Sequence, residues 1–168
     1  WINGEFSSKQ LSEVRIEDLL GRKPISLNQE QISNDLNNQV VLVTGAAGSI
    51  GSGLVRQIAN YSPKKIILLD QSESPLYDLQ QELLTNFSNV SFEFVIGDIR
   101  NYDRLKRTFD YFRPQFVFHA AAYKHVPLME NNPSEAILTN VRGSKNLVDI
   151  AIAYETKKFI MNGSMFRK

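Results

Sequence analysis

The sequence contains no cysteine and only two histidines, His119 and His125. That excludes a disulfide framework and a thiolate metal site, and it leaves too few imidazoles for a zinc cluster. No apolar run approaches the roughly 20 residues that span a bilayer, and no signal peptide opens the chain. Charge of one sign is also lacking: 19 Lys and Arg against 18 Asp and Glu leave a net +1. Without a basic surplus there is no electrostatic case for nucleic acid or an anionic membrane surface as partner. Internal repeats and low-complexity tracts are absent too. What remains is 168 residues, 42% hydrophobic and 22% charged, the make-up of one globular domain with a real core. The first residue is Trp1, not Met, which reads as a segment of a longer protein.

The stretch Val40–Gly51 organises the rest. Val40 to Val43 form an apolar run of strand type, and small residues then lead into a helix whose inward face is Leu54, Val55, Ile58 and Ala59. Gly45, Gly48 and Gly51 follow Thr44 with the spacing G-x-x-G-x-x-G. At a strand-to-helix turn, such glycines let the backbone bend tightly and approach a pyrophosphate, while the helix N-terminus offers free N–H groups. Small residues suit any tight turn, so the triplet alone does not decide. Asp70 strengthens it, ending the apolar run Lys65–Leu69, 19 residues beyond Gly51. A dinucleotide-binding fold places there the acid that holds the adenosine ribose.

Either side of this unit the pattern is regular. Residues 1–38 form a helical preface or connector, with one helix over about 11–20, stopped by Gly21 and Pro24, and a second over about Gln29–Leu36. Residues 39–168 alternate strands and helices. Ser74-Pro75 suits a cap and first turn, with Leu76, Leu79, Leu83 and Phe87 behind it at helical spacing. Val90–Ile96 is a third strand, and a helix begun near Asn101 carries Leu105, Phe109 and Phe112 up to Pro114. Gln115–His119 is a fourth strand. Asn132-Pro133 opens a long helix with Ile137, Val141, Leu147, Val148 and Ala151 on one side, and Lys158–Met161 is a fifth strand. Such alternation predicts an α/β fold, a doubly wound, Rossmann-like parallel sheet of about five strands in the order 3-2-1-4-5. Its ligand crevice lies at the C-terminal ends of strands 1 and 4.

That topology sorts the polar residues near the crevice. Asp98, just past strand 3, is either an acceptor for an adenine amino group or a turn aspartate. His119 suits a satisfied core histidine better than a ligand contact, and the small Ala120, Ala121 and Ala122 after it let a flat cofactor lie against the backbone. Lys124 and His125 sit on a rim loop, placed either to meet a negatively charged substrate or simply as part of a solvated loop. Asn140 falls mid-helix, where asparagine is intrinsically poor, which reads either as a specific hydrogen-bonding job or as a surface asparagine of the kind helices carry.

These residues carry a resemblance. Thr44-Gly45-x-x-Gly48-x-x-Gly51 has the extended short-chain dehydrogenase form. With 15–22 (RIEDLLGR), Leu69–Glu73, Gly97–Arg100, His119–Glu130, Asn132–Ala136 and Thr139–Gly143, the chain resembles the CapD-like polysaccharide-biosynthesis family over roughly residues 11 to 161. These are nucleotide-sugar 4,6-dehydratases acting on UDP-N-acetylglucosamine or close relatives in bacterial surface polysaccharide biosynthesis. The resemblance implies an NAD(P) cofactor that takes a hydride from C4 of the sugar and, after loss of water across C5 and C6, returns it to C6. It implies that Gly45, Ala47, Gly48, Ser49, Ile50 and Gly51 hold the pyrophosphate, and Asp70 with Ser72 the adenosine ribose. Asp98 and Ile99 would line the adenine. Ala120, Ala121, Ala122, Lys124 and Asn140 would approach the nicotinamide ribose, with Lys124 and His125 toward the substrate. A carboxylate at Asp70 with no arginine immediately after it favours NAD over NADP. A cytoplasmic, self-associating parent, anchored to the inner face of the membrane by upstream segments, completes what the resemblance implies.

Two departures qualify it. The family continues past strand 5 with Ser-Thr-Asp-Lys and Met/Tyr-x-x-x-Lys segments, whereas this chain ends Met161–Lys168 without an Asp-Lys pair. No catalytic residue is therefore assigned, and the chain is expected to bind cofactor without turning over sugar. Tyr154-x-x-x-Lys158 has the dehydrogenase spacing at the wrong place, before strand 5, and reads as coincidence. A UDP-sugar 4-epimerase and a catalytically dead NAD(P)-binding or sensing module stand as alternatives.

Overall fold

A computed structural model describes residues 28–161. The helix expected over residues 11–20 and the tail after Met161 lie outside the described residues. The elements are α1 (Gln29–Leu36), β1 (Val40–Thr44), α2 (Ser49–Ala59), β2 (Lys65–Asp70), α3 (Glu73–Asn86), β3 (Phe92–Ile96), α4 (Tyr102–Phe112), β4 (Phe116–His119), α5 (Val126–Asn131) and α6 (Pro133–Ala136). A π-helical segment, Ile137–Gly143, then joins α6 to α7 (Ser144–Ala153), and β5 (Lys158–Met161) closes the series. The five strands form one parallel sheet in the order β3-β2-β1-β4-β5, as the alternation of strand and helix predicts.

Strands alternate their side chains between the two faces, so each strand feeds two cores. Val41, Val43, Ile66 and Leu68 pack with Val55 and Ile58 of α2, Leu76, Leu79 and Leu83 of α3, and Leu36 of α1. Leu42, Ile67, Leu69 and Val117 face the other way, against Leu105 and Phe109 of α4 and Leu147 and Ile150 of α7. Both faces are covered, which is why β1 and β2 read as continuous apolar runs. Among the described residues no helix is long and apolar enough to cross a membrane.

Three details depart from the sequence expectation. The N-cap of α3 is Ser72, not Ser74, so Pro75 stands in the first turn, where a missing N–H is tolerated. β3 begins at Phe92 because Val90 turns back to give its N–H to the Phe87 carbonyl at 3.1 Å. The helix from Pro133 is not continuous. Its π-helical stretch breaks the 3.6-residue phase, leaving Ile137 and Val141 59% and 62% exposed while Thr139 and Gly143 turn inward.

Candidate functional site

The crevice opens at the C-terminal ends of the central strands, where the strand order reverses between β1 and β4. It has a volume of about 220 Å³. One wall is the loop from β1 to α2. Gly45 takes φ +67°, a conformation open to glycine, and gives its N–H to the Leu69 carbonyl at 2.9 Å. The loop then tucks beneath the helix it leads into. A Cβ on Gly51 would lie 2.0 Å from the Gly45 carbonyl oxygen, whereas one on Gly48, itself part of the crevice lining, would sit 3.3 Å from it. Gly51 therefore answers to helix packing and Gly48 to the ligand side. The first helical bond of α2 runs from Ser52 N–H to the Gly48 carbonyl at 2.9 Å, so the N–H groups of Ser49, Ile50 and Gly51 stand ahead of the helical ladder.

Asp70 is 8% exposed and lines the crevice. Its Oδ2 accepts from Ala47 N–H and its Oδ1 from Ser72 N–H, both at 2.9 Å. One carboxylate thus fixes the glycine loop and the start of α3 together, with lone pairs remaining toward the crevice. Asp98 forms the next stretch of wall, its carboxylate occupied by Arg100. Oδ1 accepts from Arg100 N–H at 2.8 Å and Oδ2 from Arg100 Nε at 2.7 Å, while Arg100 Nη1 reaches Glu135 at 2.7 Å. Burial alone would raise the Asp98 pKa, but the hydrogen bonds and charge of Arg100 outweigh it and hold the carboxyl below its ordinary range. Asp98 thus serves as a turn aspartate, and it also stands at the crevice.

His119 resolves as a core group. It is 3% exposed, its Nδ1 lies 2.7 Å from Thr44 Oγ1, and its Nε2 lies 2.8 Å from Ser144 Oγ. Burial lowers its pKa to about 4, so at neutral pH the ring is uncharged and ties β1, β4 and α7 together.

Ten of the sequence-predicted residues line the crevice: Gly45, Ala47, Gly48, Asp70, Ser72, Asp98, Ile99, Ala120, Ala121 and Ala122. Ser49 and Ile50 are exposed at the N-terminus of α2, and Gly51 is packed behind it. Lys124 stays at the mouth, its Nζ 3.3 Å from Ser49 Oγ, and His125 is the exposed N-cap of α5. Asn140 stands back from the crevice: its Oδ1 accepts from Tyr123 N–H at 2.8 Å and its Nδ2 donates to the Tyr123 carbonyl at 2.9 Å. Its specific job is to hold the rim loop. Tyr154 bonds Asp110 and Lys158 pairs with Asp35, so these two side chains do not converge. The lining also includes Gln71, Pro75, Gly97, Tyr123 and Thr139, which sequence reasoning did not single out. Gln71 and Pro75 could have been found from their place beside Asp70. Thr139 stood in the Thr139–Gly143 motif, but its facing the crevice had no signal, because the helical phase broken by the π segment decides it.

Residues 41–164 match the family described as "Polysaccharide biosynthesis protein". The chain belongs to that family. The capsular polysaccharide biosynthesis protein CapD of Staphylococcus aureus is 46% identical over 161 residues, covering 95% of this chain and 27% of that protein. The UDP-N-acetylglucosamine 4,6-dehydratase (inverting) of Campylobacter jejuni is 37% identical over 125 residues, covering 74% of this chain and 36% of that enzyme. Among solved structures, Pen from Bacillus thuringiensis superposes with a TM-score of 0.68 at 36% identity, over 75% of this chain and 37% of that one. The UDP-glucose 4-epimerase of Thermus thermophilus, solved in complex with NAD, gives 0.58 at 29% identity, over 71% and 36%. The chain thus spans 27% to 36% of the length of these two curated relatives.

Proposed function

We propose that this chain is the dinucleotide-binding part of a nucleotide-sugar 4,6-dehydratase acting on a UDP-N-acetylglucosamine-type substrate. The observation that carries the reading is Asp70, held by Ala47 N–H and Ser72 N–H at the crevice beside the glycine loop. That arrangement fits a nicotinamide dinucleotide: Gly48 leaves room for a pyrophosphate, the N–H groups opening α2 suit its charge, and Asp70 suits a ribose diol. Bound there, the nicotinamide would supply reversible hydride transfer for the sugar. The chain's own residues bind and orient. Lys124, beside Ser49 at the mouth, adds positive charge where a pyrophosphate or a UDP-sugar would enter.

NAD+ is the proposed cofactor. No Lys or Arg belongs to the crevice lining, and Arg100 is engaged by Asp98 and Glu135, so among the described residues nothing there would neutralise a 2′-phosphate beside Asp70. Repulsion between that phosphate and the carboxylate is worth about 1–4 kcal/mol near a surface. In calorimetric titration NAD+ is expected to bind at least about fivefold more tightly than NADP+. Equal binding would remove the preference, and failure of both to bind would remove the reading. With UDP-N-acetylglucosamine and NAD+, the chain alone is expected to give no 4-keto product, since it supplies no assigned acid–base residue.

A UDP-sugar 4-epimerase is the second reading, favoured by the likeness to the Thermus thermophilus epimerase. Product analysis of the longer parent protein separates the two, because an epimerase yields no 6-deoxy sugar.

A further inference from the structure

The backbone of the crevice wall beyond β3 is tied by bonds that do not involve the Arg100 side chain. Gly97 N–H donates to the Asp70 carbonyl at 2.9 Å and Asn101 N–H to that of Asp98 at 3.0 Å. From α7, Asn146 Nδ2 donates to the carbonyls of Ile99 and Arg100, at 3.3 and 3.2 Å. The Arg100 side chain is thus free for another task. Its Nε and Nη2 both donate to Asp98 Oδ2, at 2.7 and 2.6 Å, and its Nη1 donates to Glu135 Oε2 of α6 at 2.7 Å. Every guanidinium nitrogen is engaged, and the group is held between two carboxylates. A planar fork of this kind fixes orientation as well as charge, which a flexible ammonium does not.

The consequence falls on Asp98. A carboxylate has about four acceptor sites shared between its oxygens. The fork fills those of Oδ2, while Oδ1 takes only the Arg100 N–H at 2.8 Å. One acceptor site therefore remains, on Oδ1 of a residue that lines the crevice. Strand order says which ligand group meets it. A ribose held by Asp70 stands at the end of β2, and β3 lies on the far side of β2 from β1 and β4. The group over β3 is then the base joined to that ribose. We propose that Arg100, held in turn by Glu135, is a positioning residue that fixes the Asp98 carboxylate as acceptor for a purine amino group. This wall thereby selects adenine over a base with an oxo group at that position. The inference rests on the dinucleotide reading above and goes beyond it, to what sets the choice of base.

The test is calorimetric titration with NAD+ and with nicotinamide hypoxanthine dinucleotide, which carries an oxo group in place of the adenine amino group. The wild-type chain is expected to bind NAD+ about tenfold more tightly, the worth of one hydrogen bond to a charged group. In Arg100→Gln the carboxylate can turn away from the oxo group, and the preference should narrow to within about twofold, chiefly through weaker NAD+ binding. Arg100→Lys keeps the charge without the fork and should behave in the same way. Glu135→Ala leaves Asp98 and Arg100 in place, should narrow the preference by about threefold, and is read whether or not Arg100→Gln folds. A full wild-type preference in any of these variants would overturn the proposal. Equal weakening of both dinucleotides would make Arg100 a brace of the wall and overturn it too, as would a wild type that binds both alike. Should the wild type bind neither, the dinucleotide reading falls, and this proposal with it.

Discussion

Gly51 and Gly53 are two residues apart on α2 and meet opposite surroundings. A Cβ on Gly51 would stand 2.0 Å from the Gly45 carbonyl oxygen, a backbone atom fixed by the loop's bonds to β2, whereas a Cβ on Gly53 would meet nothing within 4 Å. Gly53→Ala is therefore expected to stabilise the chain by about 0.5–1 kcal/mol through helix propensity alone. Gly51→Ala must push the helix off the loop, at a cost of about 2 kcal/mol or more. Urea unfolding of both variants checks the pair, and a destabilised Gly53→Ala would show that the open space is not real. The spacing of the three glycines was legible in the sequence. What separates Gly48, at the ligand side, from Gly51, under the helix, was not, because it depends on which backbone atoms the fold brings near each one.

At the scale of elements, the strands were the most legible part. β1 and β2 are buried on both faces, so their apolar runs are continuous and their ends abrupt, and β5 also falls where its residues predict. The region 133–153 was read less well. Leu147 and Ala151 are buried as expected, but Ile137 and Val141 are not, because periodicity assumes one helical pitch and the π segment inserts another. The same irregularity brings Asn140 to Tyr123, where it exchanges two hydrogen bonds with the backbone of the rim loop. Asparagine's poor helix propensity was a correct signal that it had work to do, though it could not name the partner. Asn140→Ala leaves a part-buried N–H and carbonyl at Tyr123 to find water, which costs about 1–2 kcal/mol locally. Amide exchange at Tyr123 and its loop neighbours should accelerate while β1 and β2 amides stay protected. Acceleration spread evenly over the sheet would mean that Asn140 supports the whole fold and not the loop.

For the molecule as a whole, His119 is a buried group through which pH reaches the fold. It joins β1 through Thr44 and α7 through Ser144, with β4 between them. Its folded-state pKa is lowered to about 4 by burial, against about 6.5 in the unfolded chain. Between these values the unfolded chain holds a proton that the folded chain lacks, so stability is fully present above the higher pKa and declines as pH falls toward the lower. The whole contribution is on the order of 3 kcal/mol, of which about 2 kcal/mol is gone by pH 5. Urea unfolding at pH 7.5 and pH 5.0 should therefore show a larger loss for the wild type than for His119→Gln, by about 2 kcal/mol. The variant starts less stable, because Thr44 and Ser144 lose their shared partner, but its pH dependence should be flatter. Because Ala120 to Ala122 continue from the end of β4 into the crevice lining, NAD+ affinity of the wild type should weaken over the same range in which the sheet loosens. Parallel pH dependences for wild type and His119→Gln would mean that carboxylates such as Asp98, and not this buried ring, govern the acid limit.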